Sequence, residues 1–370
     1  MDRDELAAWL RLLETPQVGR ESARKLLAAF GSPYAVLSAT TAARQQVVPA
    51  ETAKAFGEVS ETLLTLIDTT IEWLAAGTDE APRQVLTMGD AGYPQALLET
   101  ADPPLLLYLQ GNSALLSTPA LAVVGSRNPT PQGKENARSF SAHLSQAGLT
   151  IVSGMAMGID GEAHEGGLTG AGRTVAVVGT GLDRVYPRRH LELAHRIANR
   201  GLIISEYPLG MPPLPGNFPM RNRIISGLTR GTLVVEAALQ SGSLITARLA
   251  SEAGRDVFAI PGSIHSPQSR GCHALIKQGA KLVDSAQDVL DELPWHVHAA
   301  ATSEASSPVE SETASDPLLQ AIGFDPVNLD ALVARTGWPA PQLSARLLEL
   351  ELAGEIARLP GQLFQRIGMG

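Results

Sequence analysis

The chain has 370 residues, too many for one ordinary domain, and its 44% hydrophobic and 18% charged content excludes wholesale disorder. A single cysteine, Cys272, excludes an internal disulfide framework and any multi-cysteine zinc site. The net charge of −9 is unevenly spread: residues 1–120 hold 8 basic and 15 acidic side chains, residues 121–281 hold 17 and 10, and residues 282–370 hold 4 and 13. A basic middle between acidic ends can attract a polyanion locally, whatever the total.

The start, MDRDELAAWL, is acidic and amphipathic and lacks the basic region and apolar stretch of a secretory signal. No run of 18 apolar residues occurs, so no membrane partner and a soluble, cytoplasmic protein are expected. LAAWLRLLE and SARKLLAAF carry apolar residues at helical spacing, joined by the turn TPQVGRES, whose serine can cap the second helix. ETLLTLIDTTIEWLAAG is a further helix, closed by Gly77. These elements predict a small helical N-terminal domain over 1–77.

From residue 83 the texture changes. QVLTMGD and PLLLYLQG are short apolar runs, after which strands and helices alternate: LAVVGS, LTIVSG, TVAVVGTG, LIISEYP, GTLVVEAA and DVFAIPG are strands with helical segments between them. Apolar runs of four to six residues separated by helices predict a parallel sheet covered on both faces. The fold class is therefore α/β, with a Rossmann-like, doubly wound, mostly parallel sheet over 83–295. Residues 296–316 are rich in Ala, Ser and Glu and predict a flexible linker. Periodicity returns over 317–370, where three helices and a Gly-punctuated β-like end predict a winged-helix domain. Its helix PQLSARLLELELAG is acidic to neutral where a groove-reading helix is basic, which favours a protein-contact or accessory role.

Ligands of open α/β sheets bind at the carboxyl ends of the strands. Those ends here offer Gly125, Ser126 and Arg127, then Ser153, Gly154 and Gly158, then GTGLDRVYP, and finally Ser241, Gly242, Ser243 and Thr246 entering a helix. Gly-rich turns that lead into helix N-termini present backbone N–H groups to an anion. Arg127, Arg221 and Arg223 can add forked contacts to phosphate oxygens, and Asn222 can cap. Phe218 fits a core position more often than a base-stacking platform. Asp160 and Glu236 read as caps or salt-bridge partners rather than catalytic acids, and Cys272 as a small buried hydrophobe. No HExxH, GxSxG, GxxxxGK[ST] or GxGxxG occurs, so no catalytic residue, metal site or cofactor is assigned.

The motifs VVGSRNPTPQG, IVSGMAMGIDGEAH, VVGTGLDRVYPRRH, ISEYPLG, FPMRNRIISGL, VVEAALQSGSLITARLASEAGRDVFAIPG and GCHALIKQGA stand in this order over roughly 105–285. In them the chain resembles the DNA-processing protein A family (DprA, also called Smf). The flanking segments are similar to that family's SAM-like or helix-hairpin-helix domain and to its winged-helix domain. The resemblance implies a non-enzymatic, cofactor-free protein that binds incoming single-stranded DNA, protects it and loads RecA onto it in natural transformation and homologous recombination. It also implies a homodimer formed through the Rossmann-like domain, with single-strand-binding protein as a further partner. By motif position it assigns a phosphate to Ser126 and Arg127, beside a DNA-binding Gly125, the pocket lining to Ser153 and Gly154, and the basic rim to Arg221, Asn222 and Arg223. Ser241, Gly242, Ser243 and Thr246 would supply a helix N-terminus, and Phe218 would meet a base. Many members carry a basic residue just before FPxRNR, whereas MPPLPGN has none; Arg188 and Arg189 are the nearby substitutes. Two rival readings are a nucleotide phosphoribohydrolase, whose PGGxGTxxE motif is absent, and a small-nucleotide binder on the same fold.

Overall fold

The computed structural model describes residues 1–57, 59–293 and 316–367, so the linker expected over 296–316 lies outside the described residues except at Asp316. The N-terminal region folds into helices, of which Arg3–Glu14, Arg20–Phe30 and Glu61–Ala75 are the longest. Asp2 and Ser60 cap the first and third through their side chains, which each accept a backbone N–H that would otherwise lack a partner. The second helix instead starts at Gly19 with no side-chain cap, and Ser22 lies inside it. The buried stripes of these helices include Leu6, Trp9, Leu10, Leu26, Leu63, Ile67 and Trp73. They close onto Leu105, Leu106, Tyr108 and Leu209 of the following region, so the helices share one core with the sheet that comes next.

That sheet has nine strands: β1 Arg83–Thr87, β2 Leu106–Gly111, β3 Ala120–Val124, β4 Thr150–Ser153, β5 Thr174–Val177, β6 Leu202–Ser205, β7 Gly231–Val234, β8 Asp256–Ala259 and β9 Lys281–Leu282. Their order is β1-β2-β6-β5-β4-β3-β7-β8-β9. The seven strands from β6 to β9 pair in parallel, and the two early runs, β1 and β2, add an antiparallel edge. The central strands are buried along their whole length, as a sheet covered on both faces requires. Leu121 and Val123 pack with Phe140 and Leu144 of the helix Pro131–Gln146 on one face. Ala122 and Val124 pack with Ile224 and Ile225 of the helix Asn217–Leu228, and with Ala247 of the helix Ser243–Glu252, on the other. Each large apolar side chain removed from water in this way stabilises the fold by about 1.5–3 kcal/mol.

From β3 the chain winds outward through β4, β5 and β6, then returns past β3 to lay down β7. The strand order reverses between β3 and β7, which opens a crevice at their carboxyl ends.

One core group makes this region sensitive to acid. His164, in the helix Ile159–Gly167, is fully buried, and its Nδ1 lies 2.7 Å from Thr174 Oγ1. Burial, with the nearby positive groups of His190 and Arg221, pushes its imidazole down to about 3. The unfolded chain titrates near 6.5, so in the window between those values the unfolded state binds the extra proton. Stability is full above about pH 6.5 and falls as the pH drops. Between pH 6.5 and pH 4.5 the loss should reach about 2–3 kcal/mol. Urea unfolding at the two pH values measures it, and His164→Gln should flatten that limb.

Residues 316–367 build a core of their own. The helices Pro317–Ile322, Leu329–Thr336 and Ala340–Leu352 enclose Leu318, Leu332, Leu343, Leu347 and Leu350, together with Ile356 and Phe364. Three antiparallel strands complete a winged helix: β10 Val327–Asn328, β11 Ile356–Leu359 and β12 Leu363–Arg366, in the order β10-β12-β11.

Candidate functional site

The crevice between β3 and β7 holds a cleft of about 500 Å³. Its walls come from the turn after β3 (Gly125, Ser126, Arg127, Asn128), the start of the helix Asn217–Leu228 (Phe218, Arg221, Asn222) and the turn after β7 (Ser241, Gly242, Ser243, Thr246). The turn geometry follows from local chemistry. The Ser126 hydroxyl accepts the Asn128 N–H at 3.1 Å, and the Ser126 carbonyl accepts the Ile159 N–H at 3.1 Å. Gly158 passes so close, at φ +83°, that a Cβ there would stand 2.4 Å from that carbonyl. The helix Ser243–Glu252 begins at Gly242 with no side-chain cap, which leaves its partly positive end facing the cleft. The Ser241 and Ser243 hydroxyls meet at 2.7 Å beside it.

The charges differ in how they are held. Arg127 is exposed. Arg221 is only 4% exposed, yet it lines the cleft; its Nη2 donates to the Gly154 carbonyl at 2.7 Å, and its Nε has no partner among the described residues. Asp160 is buried near it and accepts the N–H groups of Gly154 and Ala156, each at 3.2 Å. Burial raises the Asp160 carboxyl and lowers the Arg221 guanidinium, and each charge offsets part of the other's shift. An arginine stays protonated even so, so a guanidinium is held in a fixed pose at the floor of an open cleft. Asp160 thus acts as a cap for the turn after β4. Glu236 does similar work, accepting the Thr130 N–H at 2.9 Å and the Thr130 hydroxyl at 2.6 Å. Burial raises its carboxyl, and the Thr130 hydrogen bonds counteract that.

Several sequence expectations meet a different geometry. Arg223 does not reach the cleft: on another face of its helix it donates from Nε to Asp102 at 2.7 Å and from Nη2 to Glu206 at 2.5 Å. Arg20 and Arg24 of the N-terminal region join the same carboxylates. Ser153 is fully buried, and its hydroxyl is used by the Val123 carbonyl at 2.7 Å, so it supports the β4 end from beneath. Asn222 cannot cap, because the helix already starts at Asn217; its amide reaches toward the Gly242 carbonyl at 3.5 Å. Gly154 lies under Arg221 rather than on the cleft wall, and Arg188 and Arg189 are exposed on a short turn outside it. Cys272 is fully buried, and burial pushes its thiol up to about 12.

The site also contains residues that the motifs did not single out. Asn128 and Gln268 line the cleft, and the Gln268 amide holds the Asn128 carbonyl at 3.1 Å. Asn128 was legible as Arg127's neighbour, whereas Gln268 sits in a stretch with no strand or helix signal. Tyr186 packs against Phe218 with ring centroids 5.5 Å apart. Its motif, DRVYP, belongs to a different strand end, so only the fold brings the pair together.

Gly154 is the tightest point. A Cβ there would stand 1.6 Å from Nη1 of Arg221. Gly154→Ala is therefore expected to displace the guanidinium and lower stability by about 1–3 kcal/mol, as overpacking does; urea unfolding measures the loss.

Comparison with known proteins bears on the family and the fold. Residues 84–294, more than half of the chain, match the family described as DNA recombination-mediator protein A, and residues 302–362 match the DprA winged helix domain. The chain is 45% identical to Protein Smf of Escherichia coli (strain K12) over 302 residues, which is 80% of this chain and 79% of that protein. Among solved structures it resembles DNA processing protein A from Streptococcus pneumoniae, with 39% identity and a TM-score of 0.63 over 78% of this chain and 99% of that one. It also resembles DNA processing protein A from Helicobacter pylori, whose structure addresses its single-stranded DNA binding mode, with 34% identity and a TM-score of 0.51 over 56% of this chain and 94% of that one. With a mostly parallel α/β sheet, a helical N-terminal region and a winged helix at the other end, the chain belongs to the DNA recombination-mediator protein A (DprA/Smf) family.

Proposed function

We propose that this protein binds single-stranded DNA in the cleft between β3 and β7, protects the strand and loads RecA onto it, without chemistry of its own. The observation that carries the reading is the buried Arg221 guanidinium at the floor of an open cleft, with Ser126, Arg127 and the helix end at Gly242 around it. A phosphate there would meet the Arg221 guanidinium and the partly positive end of the helix that starts at Gly242, and neither reads base identity. The two carboxylates nearest the cleft, Asp160 and Glu236, are occupied with backbone and Thr130 hydrogen bonds, which favours binding over hydrolysis. The Helicobacter pylori relative supports the same ligand class.

Titration with oligo-dT beside mononucleotides tests this. Tight, salt-sensitive binding of the oligomer and weak binding of the monomer is the expected result. Equal binding of both would transfer the cleft to a nucleotide ligand.

Self-association through the Rossmann-like domain is part of the proposal. Leu239, 59% exposed, lines a groove with Leu244, Leu275 and Lys281, and Leu282, 48% exposed, follows Lys281 in the chain. Two linked strand sites would raise the effective concentration of each for the other. A single-copy mass in sedimentation across a wide concentration range would refute it.

A further inference from the structure

A second cavity, of about 270 Å³, adjoins the strand cleft at two places. The first is aromatic: Tyr186 lines the cavity and Phe218 lines the cleft, and the two rings are in contact. The second is the turn after β4, where Met155 lines the cavity and its neighbour Ala156 lines the cleft. Met155 holds φ 61°, a backbone conformation that costs a non-glycine residue free energy and tends to occur where function requires it.

The cavity is chemically distinct from the cleft. Val178, Leu182, Leu191 and Ile203 make much of it apolar, and Trp73 and Arg83 stand at one side. The Arg83 guanidinium carbon lies 5.2 Å from the Trp73 ring centroid. Trp73 Nε1 and Arg83 Nε are both buried with no hydrogen-bond partner among the described residues. Arg83 Nη1 donates to the Trp73 carbonyl at 3.0 Å, so a held guanidinium belongs to the cavity's lining and suits an occupant that brings acceptors. The volume falls just below the ~300–1,000 Å³ typical of pockets for drug-sized molecules, which suits a single flat ring system.

We infer that this cavity takes one nucleobase of the strand held in the neighbouring cleft, turned inward past the Tyr186–Phe218 pair. This rests on the strand-binding reading above. Phe218 meets the base at the cleft, Tyr186 guides its neighbour across, and the acceptor edge of that base faces Arg83. A nucleobase could also come from a free nucleotide; the strand is the source proposed because the cavity adjoins the phosphate site at both places.

The test uses the full chain and the shortest oligo-dT that binds at full strength, so that sliding would sacrifice a contact. Each position is replaced in turn by an abasic residue. In the unaltered protein, one position beyond the base at Phe218 should weaken binding about tenfold, the scale of a stacked base. Leu191→Trp, at a half-exposed position of the cavity wall, should abolish that penalty and bind the intact strand as weakly as the abasic one. Arg83→Gln makes the same comparison should the tryptophan variant not fold. Identical abasic profiles in the altered and unaltered proteins would overturn the inference while leaving strand binding intact. Binding of thymidine monophosphate with no position sensitive to base loss would overturn it in favour of a free nucleotide. No strand binding by any of the proteins would remove the parent reading itself.

Discussion

Replacing Arg221 by alanine is expected to weaken single-stranded DNA binding by about 10- to 100-fold, the range of a lost charged hydrogen bond. The size follows from burial. Only 4% of Arg221 is exposed, so the position of its guanidinium is already fixed by the Gly154 carbonyl before any strand arrives. Little side-chain entropy remains to be lost on binding. Arg127 is exposed and has that entropy still to lose, so Arg127→Ala should cost less. The salt dependence separates a phosphate contact from a packing role. Losing one phosphate contact should shallow the slope of log affinity against log salt by about 0.7. Arg221→Lys keeps the charge but not the fork, and should recover the slope more fully than the affinity. Binding isotherms at four salt concentrations for the three variants decide the matter; an unchanged slope in Arg221→Ala would remove the phosphate from this residue.

Arg223→Ala should show the opposite signature: a stability loss of about 3 kcal/mol, as for a broken buried ion pair, with the salt slope unmoved. Arg223, like Arg20, bridges Asp102 and Glu206, and its side chain is only 13% exposed against 31% for Arg20. Burial raises the Asp102 carboxyl, but Arg223, Arg20 and Arg24 outweigh it and hold the group below its usual value. Removing Arg223 leaves Asp102 and Glu206 with Arg20 and Arg24 alone, both on the N-terminal helix Arg20–Phe30. Denaturant unfolding together with the salt series checks this. A changed slope with unchanged stability would return Arg223 to the strand.

The contrast between these two arginines marks what the sequence made legible. RNR has both in one motif two residues apart, and a basic rim is the natural reading. On a helix, however, residues two apart do not share a face, and the motif does not reveal which face meets the cleft. The core packing of Ile224 and Ile225 decides it, and that depends on β3 lying where the returning chain can cover it. The strands themselves were readable because each central one is apolar along its whole length. The pairing of β1 and β2 was not, since antiparallel edge strands leave no mark that separates them from other short apolar runs. Ser153 illustrates the same limit: a serine at a strand end carries a hydroxyl in any reading, and only the Val123 carbonyl at hydrogen-bonding distance shows that it faces inward. Tyr186 and Gln268 were invisible because their relevance comes from contact across strand ends, which spacing along the chain does not encode.

The packing of the N-terminal helices onto β2 bears on how the protein can be dissected. A fragment trimmed to begin at the first strand would strip the cover from Leu105, Leu106, Tyr108 and Leu209, which now lie inside a common core. Such a fragment would also leave Asp102 and Glu206 without two of their three guanidinium neighbours. An oily, acid-rimmed surface of that kind invites clumping, so self-association seen only after truncation reports the wound and not the native oligomer.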